Sequence, residues 1–208
     1  MQLWTQIYGP MKFRLAVTGE SKFPHFSPNL WMRTNQAHLS HSVGAFDWTT
    51  TDPANAYVDS SGLRIVPTLT NETTTLTNTQ IEQGYTLNLT LDGTCTGIGA
   101  RNCVAKSNTT TGRIINPIRS ARLSTKGKKS IRYGRVEVTA KLPRGDWIWP
   151  AIWMMPEKDT YGVWPRSGEI DIMEARGNDM SYEYGGRDEF SSSLHWGEKC
   201  LHTVYPSG

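Results

Sequence analysis

From Gly168 to Ala175 the chain reads GEIDIMEA, three carboxylates set among three larger apolar side chains. No other segment restricts the fold as tightly. Alternate residues of a strand share a face, so Glu169 and Asp171 project to one side while Ile170 and Ile172 face the other. Strict alternation then sends Glu174 inward with the isoleucines, where an ionised carboxylate is expensive to bury. A β-bulge near Ile172 and Met173 removes the conflict. One extra residue keeps both apolar side chains on the core side and returns Glu174 to the face of the other acids. The segment predicts a bulged strand with a core beneath it and a row of three carboxylates above.

The remaining periodicity is also that of strands. YTLNLTL (Tyr85 to Leu91) alternates strictly, with Tyr85, Leu87, Leu89 and Leu91 on one face and Asn88 on the other, pointing to solvent. RVEVTAKL (Arg135 to Leu142) turns Val136, Val138, Ala140 and Leu142 inward. GLRIVPTL (Gly62 to Leu69) is a further candidate, closed by Pro67. EFSSSLHW (Glu189 to Trp196) sets Phe190, Ser192, Leu194 and Trp196 opposite Ser191, Ser193 and His195. Turn signals such as LPRGDW, LDGTC and YGGRDE recur between these runs, and no segment carries a long 3.6-residue period. Short alternating strands joined by turns indicate an all-β sandwich or barrel. The Thr-rich run TLTNETTTLTNT (Thr68 to Thr79) is a low-complexity stretch. The first forty or so residues, including ESKFPHFSPNLWMRTNQAHLSHS, lack clear alternation and read as irregular.

Bulk properties narrow the function. With 208 residues and 20% charged side chains, the chain can bury the core of a single soluble domain. A net charge of +3 is too small for a nucleic-acid binder, and the basic cluster KGKKSIR (Lys126 to Arg132) reads as a solvated hairpin connection. No apolar run is long enough for a membrane span. The N-terminus has no uninterrupted apolar segment of a secretory signal. Other features nevertheless point outside the cell. Cys95 and Cys103 bracket a short polar loop suited to a disulfide, and Asn71, Asn88 and Asn108 head N-glycosylation sequons. Cys200 is left over.

Three carboxylates on one face carry chemistry. With a bulge, the backbones of Glu169 and Glu174 stand ~13 Å apart, and two glutamates leaning together can reach the ~5–5.5 Å spacing of a retaining glycosidase. One attacks the anomeric carbon, and the other protonates the leaving oxygen and later deprotonates water. Asp171 between them adds like charge and raises a neighbour's pKa. Calcium is the competing occupant of such a row, because it suits carboxylate oxygens; the missing EF-hand loop pattern argues only against that version, and no cofactor is required. Upstream lies WIWPAIWMMP (Trp147 to Pro156), then Trp164. In a carbohydrate cleft a tryptophan stacks on a sugar ring while Arg binds hydroxyls. Trp149 and Trp164, each beside a proline, suit strand ends facing a cleft; Trp153, between Ile152 and Met154, suits core and cleft equally.

GEIDIMEARGN resembles the signature of glycoside hydrolase family 16 in its laminarinase-like form. IRSARLSTKGKKSIRYGRVEVTAKLPRGDWIWPAIWMMPE resembles the segment before that signature in fungal-type endo-β-1,3(4)-glucanases, and SSSLHWG resembles the strand after it. The resemblance runs from about Gly44 to Gly197. It implies a β-jelly-roll sandwich of two antiparallel sheets with a concave cleft. It also implies a retaining endo-glycosidase acting on β-1,3- or mixed β-1,3/1,4-glucan; the sequons and cysteines point to an extracellular or cell-wall setting, and a monomer that needs no cofactor is expected. By position Glu169 is the expected nucleophile, Asp171 its electrostatic assistant, Glu174 the general acid/base and His195 a cleft residue. Trp149, Trp153, Trp164 and Arg166 are the expected sugar contacts. The expected division is 1–43 as an atypical segment and 44–208 as the catalytic domain, incomplete at both ends by the family's pattern. A glucan-binding protein without catalysis, a wall-remodelling transglycosylase and an inactive fragment are the competing functions.

Overall fold

The computed structural model describes residues 1–7, 13–18, 32–33, 36–37, 46–60, 62–97 and 100–198. Between residues 2 and 37, and at residues 100–101, it describes backbone only. Contacts divide the chain into two units, residues 1–32, 60–63 and 123–208 in one and residues 33–59 and 64–122 in the other.

The first unit carries the acid strand, Glu169–Ala175. It pairs antiparallel with Ala151–Met155 on one side and with Phe190–His195 on the other. The register identifies the bulge. Trp153 opposes Asp171 and Ile152 opposes Met173, so Ile172 is the extra residue; the ladder to the other neighbour shifts over the same interval, between Asp171 and Glu174. Cross-strand partners share a face. Ile152 and Met154 therefore lie with Met173 and Ile170, and Ile152, Met154 and Met173 are buried. Ile172 itself is half-buried, and its carbonyl accepts a hydrogen bond from the Ser192 hydroxyl at 2.8 Å. Of the two apolar residues expected inward, Met173 takes the core position and Ile172 fills the bulge.

Arg135–Ala140 pairs antiparallel with Phe13–Thr18, and Val136, Val138 and Ala140 are less exposed than the residues between them, as the alternation requires. The N-terminal segment corrects the irregular reading. Gln2–Ile7 pairs antiparallel with Ala151–Met155, from Gln2 opposite Met155 to Gln6 opposite Ala151. These six-residue runs, QLWTQI and FRLAVT, are too short for alternation to stand out. They are specified by the neighbours that pair with them. Most of the polar stretch from Glu20 to Ser42, and Cys200, lie outside the described residues.

In the second unit Asp47–Thr49 runs parallel to the start of Ile118–Ser124, a departure from a purely antiparallel scheme, and antiparallel to Gln36–Ala37. Its core is Trp48, Leu76, Ile81, Leu89, Ala105 and Ile115. The Thr-rich run forms two short helices, Thr70–Thr73 and Asn78–Glu82. The second opens on a capping box in which Thr77 accepts from the Gln80 amide while the Gln80 side chain accepts from the Thr77 amide. The strand expected over Tyr85–Leu91 is only Thr86–Asn88, because the chain turns after Leu89 and leaves Leu91 86% exposed. The Cys95–Cys103 disulfide is present, and the Cys95 amide returns to the Leu89 carbonyl at 3.0 Å.

Beyond its pairing with the acid strand, the chain before Ala151 continues beside residues 175–178. The Ala175 amide donates to Pro150 O at 3.1 Å, the Gly177 amide to Ile148 O at 2.7 Å and the Gly145 amide to Gly177 O at 2.9 Å. This approach requires glycine at 177, where a Cβ would lie 2.5 Å from Gly145 O and 3.0 Å from Ile148 Cβ. Gly177→Ala is expected to cost ~1–3 kcal/mol and lower the melting temperature by roughly 2–10 °C. Thermal denaturation checks it, and an unchanged midpoint contradicts the close approach.

Candidate active site

The bulge assembles the acid row. Glu169 opposes His195, Asp171 opposes both Trp153 and Ser193, and Glu174 opposes Ala151 and Ser191. Residues 191, 193 and 195 are two apart, so all three carboxylates and His195 share one face of the sheet. His195 Nε2 lies 2.8 Å from Asp171 Oδ2.

Each glutamate is held by a tryptophan. Trp164 Nε1 donates to Glu169 Oε2 at 2.5 Å, and the Trp149 side chain hydrogen-bonds Glu174. The Trp164 ring also lies against His195, centroids 6.0 Å apart and tilted by 44°. An indole N–H is a donor only, so it favours the ionised carboxylate. Burial works the other way. Asp171 is 5% exposed, and desolvation, then the charges of Glu169 and Glu174, push its pKa up to about 7 against the opposing pull of His195. Glu174 is likewise raised, first by burial and then by Glu169, with the Trp149 bond and the charges of His195 and Arg176 working against the shift. The row thus contains Asp171, which retains its proton well above the ordinary carboxylate range, and Glu174, whose pKa is shifted in the same direction.

Trp153 is half-buried and lies on the acid face opposite Asp171, away from Ile152 and Met154. Trp149 and Trp164 are partly exposed next to the acids. Arg166 is exposed, its stem over Gly162, where a Cβ would lie 2.9 Å from Arg166 Cδ. Asn71 and Asn108 are exposed. Asn88 is half-buried rather than freely solvent-facing, and its side-chain oxygen accepts from the Thr90 amide at 3.0 Å. Among the described residues no group of three or more His, Cys, Asp or Glu could hold a metal ion, and no helix is long and apolar enough to cross a membrane.

Sequence reasoning missed Trp147. It has φ 65°, a left-handed conformation that costs a non-glycine residue ~1–3 kcal/mol, and is 82% exposed. Its amide donates to Asn178 Oδ1 at 3.3 Å, and Asn178 is buried. The GDW sequence gave one signal, since glycine or an Asx residue is usual where the chain turns left-handed. Here the tryptophan itself takes that conformation.

A model of the glycosyl hydrolases family 16 matches residues 67–196. A beta-1,3-glucan-binding protein of Penaeus monodon is 51% identical over 107 residues, 50% of this chain and 27% of that protein. Glucan endo-1,3-beta-glucosidase A1 of Niallia circulans is 59% identical over 58 residues, 28% of this chain and 8% of that one. A beta-glucanase of Rhodothermus marinus is 54% identical over 68 residues, 32% of this chain and 24% of that one. The chain therefore spans about a quarter or less of the length of these relatives. No solved structure gives a significant match.

The raised carboxyl pKa values set a pH dependence. Asp171 binds its proton more tightly in the folded state than at its ordinary value of 3.8. Between pH 3.8 and about 7 the native state thus holds more protons than the unfolded one, and stability falls as pH rises through that window. Glu174 adds a slope of the same sign. Asp171→Asn is expected to flatten the decline without abolishing it. Melting temperatures from pH 4 to pH 8 check this, and identical slopes for both proteins would refute the burial of a protonated Asp171.

Proposed function

The chain belongs to glycosyl hydrolase family 16, whose fold is the β-jelly-roll, and from that membership and its acid row we propose that it is a retaining endo-glycosidase. The substrate is β-1,3- or mixed β-1,3/1,4-glucan, cleaved through a glycosyl-enzyme. The observation that carries this reading is the register shift at Ile172, which brings Glu169, Asp171 and Glu174 onto one face.

The roles follow from the surroundings of each acid. Glu169 attacks the anomeric carbon. Trp164 holds one of its oxygens, leaving the other to form the ester. Glu174, its pKa raised by burial, carries the proton that passes to the departing glycosidic oxygen. Once Glu169 is esterified its negative charge is gone, and with it one cause of the high Glu174 pKa. Glu174, having given up its proton, then stays ionised and takes a proton from the water that releases the sugar. Asp171, its pKa raised to about 7, damps the charge of the row beside the nucleophile, while His195, 2.8 Å away, fixes its orientation. Trp149, Trp153, Trp164, Arg166 and His195 line the path of the glucan along the concave sheet.

The printed names of the relatives support glucan as the ligand. They also favour a second reading, because the Penaeus monodon protein is named for binding rather than cleavage. Intact acids, with a proton-holding Glu174 beside Glu169, weigh toward hydrolysis. We assign the catalytic domain to residues 44–208 and expect it to act as a monomer. The disulfide in the second unit suits an oxidising, extracellular setting, in which Asn71, Asn88 and Asn108 would be the glycan acceptors.

Reducing-sugar release from laminarin tests the assignment. Glu169→Gln is expected to lower release by at least about 10³-fold while leaving laminarin binding measurable. Equal release by both proteins removes Glu169 from the nucleophile's role. Binding with no release by the unaltered chain establishes the binding-protein reading instead.

A further inference from the structure

An aromatic platform lies beyond the Glu174 end of the acid row. Trp147 meets Tyr182 edge-on, centroids 6.4 Å apart, and Tyr182 meets Tyr184 edge-on at 5.6 Å. Trp147 and Tyr184 are largely exposed, and Tyr182 is half-buried between them. Core packing therefore does not explain the group.

Its support is rigid. The Tyr182 amide donates to Asp179 O at 3.0 Å, Gly185 N to Tyr182 O at 3.1 Å, and Arg176 Nη1 to Tyr184 O at 2.7 Å. Gly186 passes so close to Asp179 that a Cβ there would lie 2.1 Å from Asp179 O. On the facing loop the buried Asn178 side chain accepts from the Trp147 amide and anchors Trp147 at φ 65°. A strained backbone that presents a large apolar ring to solvent gains nothing for folding. Such strain is maintained where the ring meets a ligand.

The position indicates the ligand. Ala151 opposes Glu174, Trp149 bonds Glu174, and Trp147 lies two residues further along the same chain. The backbone pairing runs on past Glu174, from Ala175 to Pro150 O and from Gly177 to Ile148 O, so the platform lies at that end of the same strand pair. Its rings offer apolar faces and its tyrosines hydroxyls, the combination that matches a pyranose, which is apolar on its ring faces and polar at its rim.

We propose that Trp147, Tyr182 and Tyr184 form an additional sugar-binding site that holds a remote unit of the same β-glucan chain whose cleavage is assigned to the acid row. The site therefore favours long glucans over short ones. This proposal rests on the glucan reading of the acid row.

The test uses the full chain carrying Glu169→Gln, so that bound glucan is not consumed, with and without Trp147→Gly. Glycine accepts φ 65° without strain, so this change removes the ring while easing the backbone. Affinity for laminarin and for laminaritriose is measured by titration calorimetry, with melting temperature alongside. Expected is about tenfold weaker laminarin binding, or about 1.4 kcal/mol, with unchanged laminaritriose binding and a melting temperature equal or higher. Tyr182→Ala should weaken laminarin binding in the same selective way. Unchanged laminarin affinity in both variants, or equal losses for both ligands, overturns the proposal while leaving the glucan reading intact. Failure of the Glu169→Gln protein itself to bind laminarin refutes the glucan reading, and the platform proposal with it.

Discussion

The site depends on one unpaired residue. Ile172 has no register partner on Ala151–Met155, and both neighbouring strands adjust their register at the same place. Without it, strand alternation would divide the acids, with Glu169 and Asp171 above the sheet and Glu174 among Ile152, Met154 and Met173. That arrangement would bury an ionised carboxylate in an apolar core and leave the surface pair without its third member. The bulge therefore satisfies two constraints together: a continuous apolar underside and a continuous acidic face. Flanking strands on both sides fix it, so the shift is a property of the sheet rather than of one flexible segment.

Given that row, opposing forces set its protonation. Burial and mutual repulsion drive the carboxyl pKa values of Asp171 and Glu174 upward, while the Trp149 N–H and the charge of His195 pull them back. Asp171, the most buried of the three, is brought to about 7, and its Oδ2 lies 2.8 Å from His195 Nε2. Glu169 and Glu174 each accept from an indole, on Trp164 and Trp149. These tryptophans act on the acids through their N–H groups, and their rings remain partly exposed. Removing Trp149 would change both the orientation and the proton affinity of Glu174, and removing Trp164 would release Glu169 from its bonded position.

Much of this was legible in the residues. The conflict between alternation and the position of Glu174 predicted the bulge; alternation also grouped His195 with Ser191 and Ser193 on a face expected to point away from the core, yet Ser193 is buried while Phe190, Leu194 and Trp196 are exposed. Cys95 and Cys103 were close enough in sequence to suggest their bond. Other features were hidden for physical reasons. Gln2–Ile7 and Phe13–Thr18 pair along much of their length with distant strands, and neither carries a pattern strong enough to announce that pairing. The helices of the Thr-rich run are single turns, too short for a period, although Thr77 and Gln80 carried a readable cap. Asn88 and Leu91 were misread because a strict alternation does not show where a turn interrupts it. The strain at Trp147 is backbone geometry imposed by Asn178 and Gly177, more than two dozen residues away in sequence, and no local pattern encodes it.

The central claim is that Glu169 forms a covalent bond to the sugar. A 2-deoxy-2-fluoro laminaribiosyl fluoride slows release of that intermediate more than its formation, so the protein can be trapped, digested and read by tandem mass spectrometry. The expected result is one sugar-labelled peptide with the modification on Glu169, absent from the Glu169→Gln protein. A label on Glu174 or Asp171, or none under conditions in which laminarin is hydrolysed, would contradict the claim.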